Sequence, residues 1–198
     1  MNKAILFDAD GVLTLPEEMF SVVYAKSHGL DPMPFEYFFK TEWQDFVLGK
    51  RDLKEHIRTN NDLWQWDGSP DKLLEYWFKT EDIQNEEMIE LIKKVRQSGT
   101  PCYLATEQEK YRGDYMRNVM FKDLFDGYFV TAELGLKKSD PKFFTRIIEL
   151  LNGYGLGAQP SDVLFFDDSQ SKVDVAKSVG INAHLFTGVQ EFKEVLGL

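Results

Sequence analysis

Ala4-Ile5-Leu6-Phe7-Asp8-Ala9-Asp10-Gly11-Val12 is the stretch on which the reading of this chain turns. Its four leading apolar residues have the length of a buried strand, and Gly11 allows a tight backbone turn just beyond it. Asp8 and Asp10 then sit two residues apart at the carboxyl end of a strand, where an open α/β sheet usually holds its ligand. Two carboxylates that close repel each other unless a cation joins them or one keeps its proton. The stretch therefore predicts a metal-assisted site, or a nucleophile with an acid beside it. Taken alone, a plain Asp-rich turn competes with that reading.

Outward from this strand the pattern turns helical, from Pro16 to about Thr80. Pro16-Glu17-Glu18 reads as a helix start and His28-Gly29 as its end, with further helices expected over 34–48, 50–59 and 69–79. The segment holds all four tryptophans and many phenylalanines, the residues that fill a small helical core with the fewest side chains. From Asn85 onward strands and helices alternate. Strands are expected over 101–105, 127–130, 163–166 and 182–186, and helices over 86–97, 109–119, 141–151, 170–179 and 189–196. This alternation predicts an α/β fold, a parallel sheet covered on both faces. The domain division expected is a core of residues 1–14 and 81–198, with residues 15–80 inserted as a helical cap beside the sheet's ligand edge.

A chain of 198 residues can bury a sizeable core, and 43% apolar with 28% charged residues is ordinary for a soluble globular protein. The formal net charge of −10 argues against a nucleic-acid polymer as partner. No apolar run has the length of a membrane span, and no basic-then-apolar leader opens the chain. Cys102 is the single cysteine, which excludes an intrachain disulfide and makes a cytoplasmic location the expectation.

The unusual polar residues all follow strands or begin helices. Thr106 follows Cys102-Tyr103-Leu104-Ala105, Asp167 and Asp168 follow Val163-Leu164-Phe165-Phe166, and Lys138 precedes the helix that starts near Pro141. Strand ends in a parallel sheet share one side, so these groups converge with Asp8 and Asp10 on one crevice. Carboxylates, a hydroxyl and a lysine, without a His or Cys cluster, favour Mg²⁺ and a phosphate.

Together, Asp8-Ala9-Asp10-Gly11-Val12, Thr106, Lys138 in Lys137-Lys138-Ser139-Asp140-Pro141, and Phe166-Asp167-Asp168-Ser169 resemble the four motifs of the haloacid dehalogenase-like hydrolases. They stand in that family's order over nearly the whole chain. The resemblance implies a three-layer Rossmann-like core and a small helical cap of the C1 type, and it is nearest to bacterial sugar-phosphate phosphatases. It implies Asp8 as nucleophile, Asp10 as general acid and base, and Thr106 and Lys138 as phosphate-binding groups. Mg²⁺ would be held by Asp8, Asp10 (through its carbonyl) and the Asp167-Asp168 pair. An acid two residues after the nucleophile favours phosphate esters over carbon–halogen bonds, since a halide needs no proton. The implied substrate is a small phosphorylated metabolite, a sugar phosphate or a nucleotide. A phosphosugar mutase or phosphotransferase is the enzyme alternative, and a non-catalytic regulatory protein that binds a phosphorylated ligand is the other. Three residues depart from the pattern, Glu107 beside Thr106, Ser139 where Pro is common, and Lys172 where Asn is common. Glu107, Lys50 and Arg51 are the candidates for substrate specificity.

Overall fold

Side-chain parity along the strands builds the centre of the molecule. The computed structural model describes residues 2–198. Five strands, β1 (Ala4–Phe7), β2 (Cys102–Thr106), β3 (Gly127–Val130), β4 (Val163–Asp167) and β5 (Asn182–Leu185), pair in parallel in the order β3-β2-β1-β4-β5. Successive strand side chains point to opposite faces, so an unbroken apolar run feeds two cores at once. Ile5, Phe7, Leu104, Leu164 and Phe166 enter one core, while Ala4, Leu6, Ala105, Val163 and Phe165 enter the other. Cys102 is buried in the first, and burial pushes its thiol up to about 12.

Among the described residues, twelve α-helices surround the sheet. The first six are α1 (Phe20–His28), α2 (Met33–Thr41), α3 (Trp43–Val47), α4 (Leu53–Thr59), α5 (Asn61–Trp64) and α6 (Pro70–Thr80). Next come α7 (Glu86–Gln97), α8 (Lys110–Tyr115), α9 (Thr131–Leu134) and α10 (Pro141–Gly153), then α11 (Gln170–Ser178) and α12 (Val189–Leu196). The apolar stripe of α7 (Met88, Leu91, Ile92, Val95) covers one face of the sheet with Phe192 of α12. Phe143, Phe144, Ile147 and Leu151 of α10 cover the other face with Val173 and Ala176 of α11. The result is the expected three-layer, Rossmann-like α/β fold.

Helices α1 to α6 have an apolar cluster of their own. Phe20 stacks on Trp77 at 5.1 Å, Trp64 is fully buried, and the Tyr24 hydroxyl donates to the Trp64 carbonyl at 2.6 Å. The two chain segments joining this helical block to the sheet run side by side. Leu15 N–H donates to the Ile83 carbonyl at 2.8 Å, and Thr14 bridges Gln84 in antiparallel fashion. Among the described residues no helix is long and apolar enough to cross a membrane.

Several helix boundaries differ from those expected. The first helix starts at Phe20 and not at Pro16, because the Phe20 N–H is capped from a distance by Glu81 Oε1 at 2.7 Å. The helix expected over 34–48 is divided at Glu42 into α2 and α3. The one expected over 109–119 ends as α8 at Tyr115 and continues as a π-helical turn, Met116–Met120, closed by Phe121 N–H donating to the Met116 carbonyl at 2.8 Å. The four-residue helices α5 and α9 are too short to leave a periodic signal.

Candidate active site

β1, β2 and β4 end together, and their ends open into a cleft of about 580 Å³. Asp8, Asp10, Thr106, Glu107, Lys138, Asp167 and Asp168 all line it. The strand order makes this convergence unavoidable, since β1 lies between β2 and β4. A loop after β1 folds back at once, with Leu13 and Thr14 N–H groups donating to the Ala9 carbonyl at 2.7 and 2.9 Å. Gly11 is required there. Its φ is +80°, and a Cβ would lie 2.0 Å from Asp168 Oδ2. The absent side chain is what lets the Asp168 carboxylate into the cleft.

Lys138 is buried to 1% exposure between two carboxylates. Its ammonium lies 2.7 Å from Asp8 Oδ1 and 2.5 Å from Asp167 Oδ2. Asp8 Oδ1 also accepts the Ala9 N–H at 2.8 Å, so one oxygen of Asp8 is fully engaged and Oδ2 is left open. Asp167 Oδ1 accepts the Ser169 N–H at 2.8 Å. Asp167 Oδ2 is fully buried and has the Lys138 ammonium as its partner among the described residues. Burial pushes the Asp8 carboxyl above its usual range and Asp167 adds to the rise, against the pull of Lys138. Burial alone would lower Lys138, but Asp8 and Asp167 hold it above its usual value. Oxygens of Asp8, Asp167 and Asp168 lie within 4.8 Å of one another, a hard-oxygen set short of positive charge. The Thr106 hydroxyl makes no hydrogen bond among the described residues.

Asp10 has a different setting. Its Oδ1 accepts the Thr14 hydroxyl at 2.7 Å and Arg112 Nη2 at 3.3 Å, and its Oδ2 accepts Gln108 Nε2 at 2.5 Å. Arg112 is itself buried to 3% exposure and donates through Nη1 to Glu81 Oε2 at 2.6 Å. Glu81 is the residue whose other oxygen caps α1. Glu109, also buried, caps α8 by accepting the Tyr111 and Arg112 N–H groups at 2.8 and 2.5 Å. Burial pushes Glu109 up to about 7 in spite of these donors, and raises Glu81 in spite of Arg112. Sequence reasoning misses Thr14, Gln108, Arg112 and Glu81. Arg112 reads as one more charge on a polar helix, and only the tertiary placement of α8 turns it inward.

Glu107 and Lys172, two of the departures noted in the sequence, meet each other. Lys172 Nζ donates to Glu107 Oε2 at 2.8 Å across 65 residues of sequence. Lys50 and Arg51 are not brought to the cleft. Arg51 pairs with Glu42 at 2.7 Å and lies 4.7 Å over the Phe46 ring, while Lys50 lies 4.0 Å from Asp45. Both face a separate surface hollow shared with Asp52 and Lys110.

Three comparisons bear on this arrangement. The family model for haloacid dehalogenase-like hydrolases matches residues 2–180. Among curated proteins, the chain is 24% identical over 202 residues to Protein CbbY of Rhodobacter capsulatus, covering 92% of this chain and 84% of that one. It is 24% identical over 115 residues to the sesquiterpene phosphatase astK of Aspergillus oryzae, and that match spans 56% of each chain, so just over half the length of that relative is covered. Among solved structures, a HAD family enzyme of Bacteroides thetaiotaomicron in complex with magnesium and inorganic phosphate superposes with a TM-score of 0.80 at 18% identity, covering 98% of this chain and 99% of that one.

Proposed function

The chain belongs to the haloacid dehalogenase-like hydrolases, and from that premise we propose that it is a Mg²⁺-dependent phosphomonoester hydrolase of a small organic phosphate. The observation that carries this reading is the contrast between Asp8, with one oxygen held and the other open, and Asp10, with both oxygens held. Asp8 Oδ2 attacks phosphorus, the ester oxygen leaves, and an aspartyl phosphate forms on Asp8. Asp10 protonates the departing alkoxide, then takes a proton from the water that hydrolyses the aspartyl phosphate. Thr14, Gln108 and Arg112 orient Asp10 for both transfers. Thr106 donates its unpartnered hydroxyl to a phosphate oxygen, and Lys138 holds Asp8 in place and offsets the incoming charge.

The residues present fit a magnesium ion. Their donors are all oxygens, the buried Asp167 Oδ2 has no partner beyond the ammonium it shares with Asp8, and Gly11 leaves room for Asp168. Asp8, Asp167, Asp168 and the Asp10 carbonyl would hold it. Bound there, it would screen a carboxylate–phosphate repulsion of about 4 kcal/mol per pair of unit charges at about 4 Å and an effective dielectric near 20. The helical block, joined to the sheet by its two adjacent strands of linker, acts as the cap that closes over the cleft and excludes water.

Phosphate release from a panel of esters, with Mg²⁺ and with EDTA, tests the reading. Release should require Mg²⁺ and should fall at least about a thousandfold in Asp8→Asn. Asp10→Asn should lose about a hundredfold to ten-thousandfold while still binding ester. Release that persists in EDTA or survives Asp8→Asn would overturn the proposal.

A further inference from the structure

Away from the phosphate site, the polar half of the cleft is largely committed to partners, and the remaining half is mostly hydrocarbon. Thr14 is bonded to Asp10, Glu81 is taken by Arg112 and the Phe20 N–H, and Glu107 is paired with Lys172. The rest of the wall is Ser169, whose hydroxyl lies 3.0 Å from that of Ser171, then Leu15, Pro16 and Met19 from the linker, with Trp43 and Val47 from α3. Leu15 and Met19 are 47% and 59% exposed, an unusual cost for two large apolar side chains that border an active site. The position of α3 is fixed by close backbone approach. Gly49, at φ +67°, sits so near α9 that a Cβ would lie 2.4 Å from the Ala132 carbonyl oxygen.

Met19 and Trp43 also line a second, separate hollow of about 390 Å³, together with Phe39 and Trp77. Of its polar lining residues, Glu36 and Lys40 pair with each other at 3.2 Å, and Ser21 adds one hydroxyl. A sugar or polyol placed against Leu15, Pro16, Met19 and Val47 would lose water from its hydroxyls there and gain no hydrogen bond from those side chains in return. A hydrocarbon would instead cover Leu15 and Met19 and lie against the Trp43 ring.

We propose that the leaving alcohol of the substrate is a hydrocarbon group, alkyl or aryl, seated on Leu15, Met19, Trp43 and Val47. This rests on the phosphomonoesterase reading and replaces the sugar phosphate or nucleotide expected from the sequence. Specificity then comes from the linker and α3, not from Lys50 and Arg51.

The test is kcat/KM with Mg²⁺ for ethyl, butyl, hexyl and octyl phosphate, beside phenyl phosphate, glycerol phosphate and glucose 6-phosphate. Each added methylene should raise kcat/KM about threefold to fourfold until the groove is filled. Hexyl and phenyl phosphate should exceed glucose 6-phosphate by at least about tenfold. Met19→Gln, at an exposed position that folding tolerates, should flatten the dependence on chain length, as should Trp43→Ala. Mg²⁺-dependent release with no dependence on chain length, a preference for the sugar or polyol ester, or an unchanged slope in Met19→Gln would overturn this inference and leave the phosphatase reading standing. Silence toward every ester would overturn both.

Discussion

Two buried cations organise this molecule, and their surroundings differ in one decisive respect. Around Arg112, every carboxylate oxygen of Asp10, Glu81 and Glu109 has a directed donor, drawn from Thr14, Gln108, Arg112 or a backbone N–H. Around Lys138, Asp8 Oδ2 and both oxygens of Asp168 accept no hydrogen bond among the described residues, and Asp167 Oδ2 has only the ammonium it shares with Asp8. Both groups are dense in negative charge. Carboxylates whose oxygens all have donors are fixed in geometry, whereas open ones have capacity left for a cation; in the first group only Arg112 Nε lacks a partner. Arg112 therefore belongs to positioning and Lys138 to binding, although both are buried charges at the same sheet edge.

The largest effects should follow Lys138. Lys138→Met leaves Asp8 and Asp167 without their shared ammonium, and breaking a buried ion pair from one side costs about 3–5 kcal/mol. Urea unfolding in EDTA should show that loss, and phosphate release should fall at least about a hundredfold. Mg²⁺ should stabilise the wild-type protein by about 2.7 kcal/mol at a hundredfold excess over its Kd. Asp168→Asn should shrink that gain. If Lys138→Met is as stable as wild type in EDTA, the Lys138 group is not short of positive charge and the contrast fails.

Arg112→Lys comes next. Lysine keeps the charge but cannot fork between Asp10 and Glu81, so Asp10 loses one orienting donor and the cap of α1 loses its brace. We expect a stability loss of about 2–3 kcal/mol by urea unfolding. Under the proposed mechanism, kcat should fall about tenfold or more while KM stays near its wild-type value, since only the acid–base step is misaligned. The stabilisation by Mg²⁺ should be unchanged. A rise in KM with kcat kept would place Arg112 in binding and erase its difference from Lys138.

The same difference separates what is legible in the sequence from what is not. Residues whose chemistry sits at strand ends are legible, because the apolar runs Ala4–Phe7 and Val163–Phe166 mark where the strands are, and parallel pairing decides which ends coincide. Asp8, Asp10, Thr106, Asp167 and Asp168 reach the cleft for that reason, and Lys138 reaches it from the segment between α9 and α10. Arg112 and Glu81 lie 31 residues apart and meet only because α8 packs beside the end of α6, a relation without any periodic trace. The aromatic segment is legible as a helical core but not as a wall, because Trp43 serves both the cluster of the helical block and the cleft. Lys50 and Arg51 stand out in the sequence as charges near a turn, and their local partners account for them.

The smallest effect concerns Glu107 and Lys172, which tie the two strand ends on either side of β1. Each reads as an isolated oddity in the sequence, yet at 2.8 Å the pair is neutral, so the phosphate meets neither an extra anion nor an extra cation. Their side chains are 23% and 22% exposed, and solvent limits the coupling to about 0.5–1 kcal/mol. Signs distinguish this pair from a surface accident. Lys172→Met leaves Glu107 facing the phosphate and should raise KM a few-fold, whereas Glu107→Gln leaves Lys172 free and should lower it. The double variant should return close to the wild-type KM, and both single effects should shrink as salt is added. Additive shifts of the same sign in both single variants would mean that the two residues contact substrate separately. In that case the cleft would have polar capacity beyond the phosphate, and its division into a committed polar half and a hydrocarbon half would have to be withdrawn.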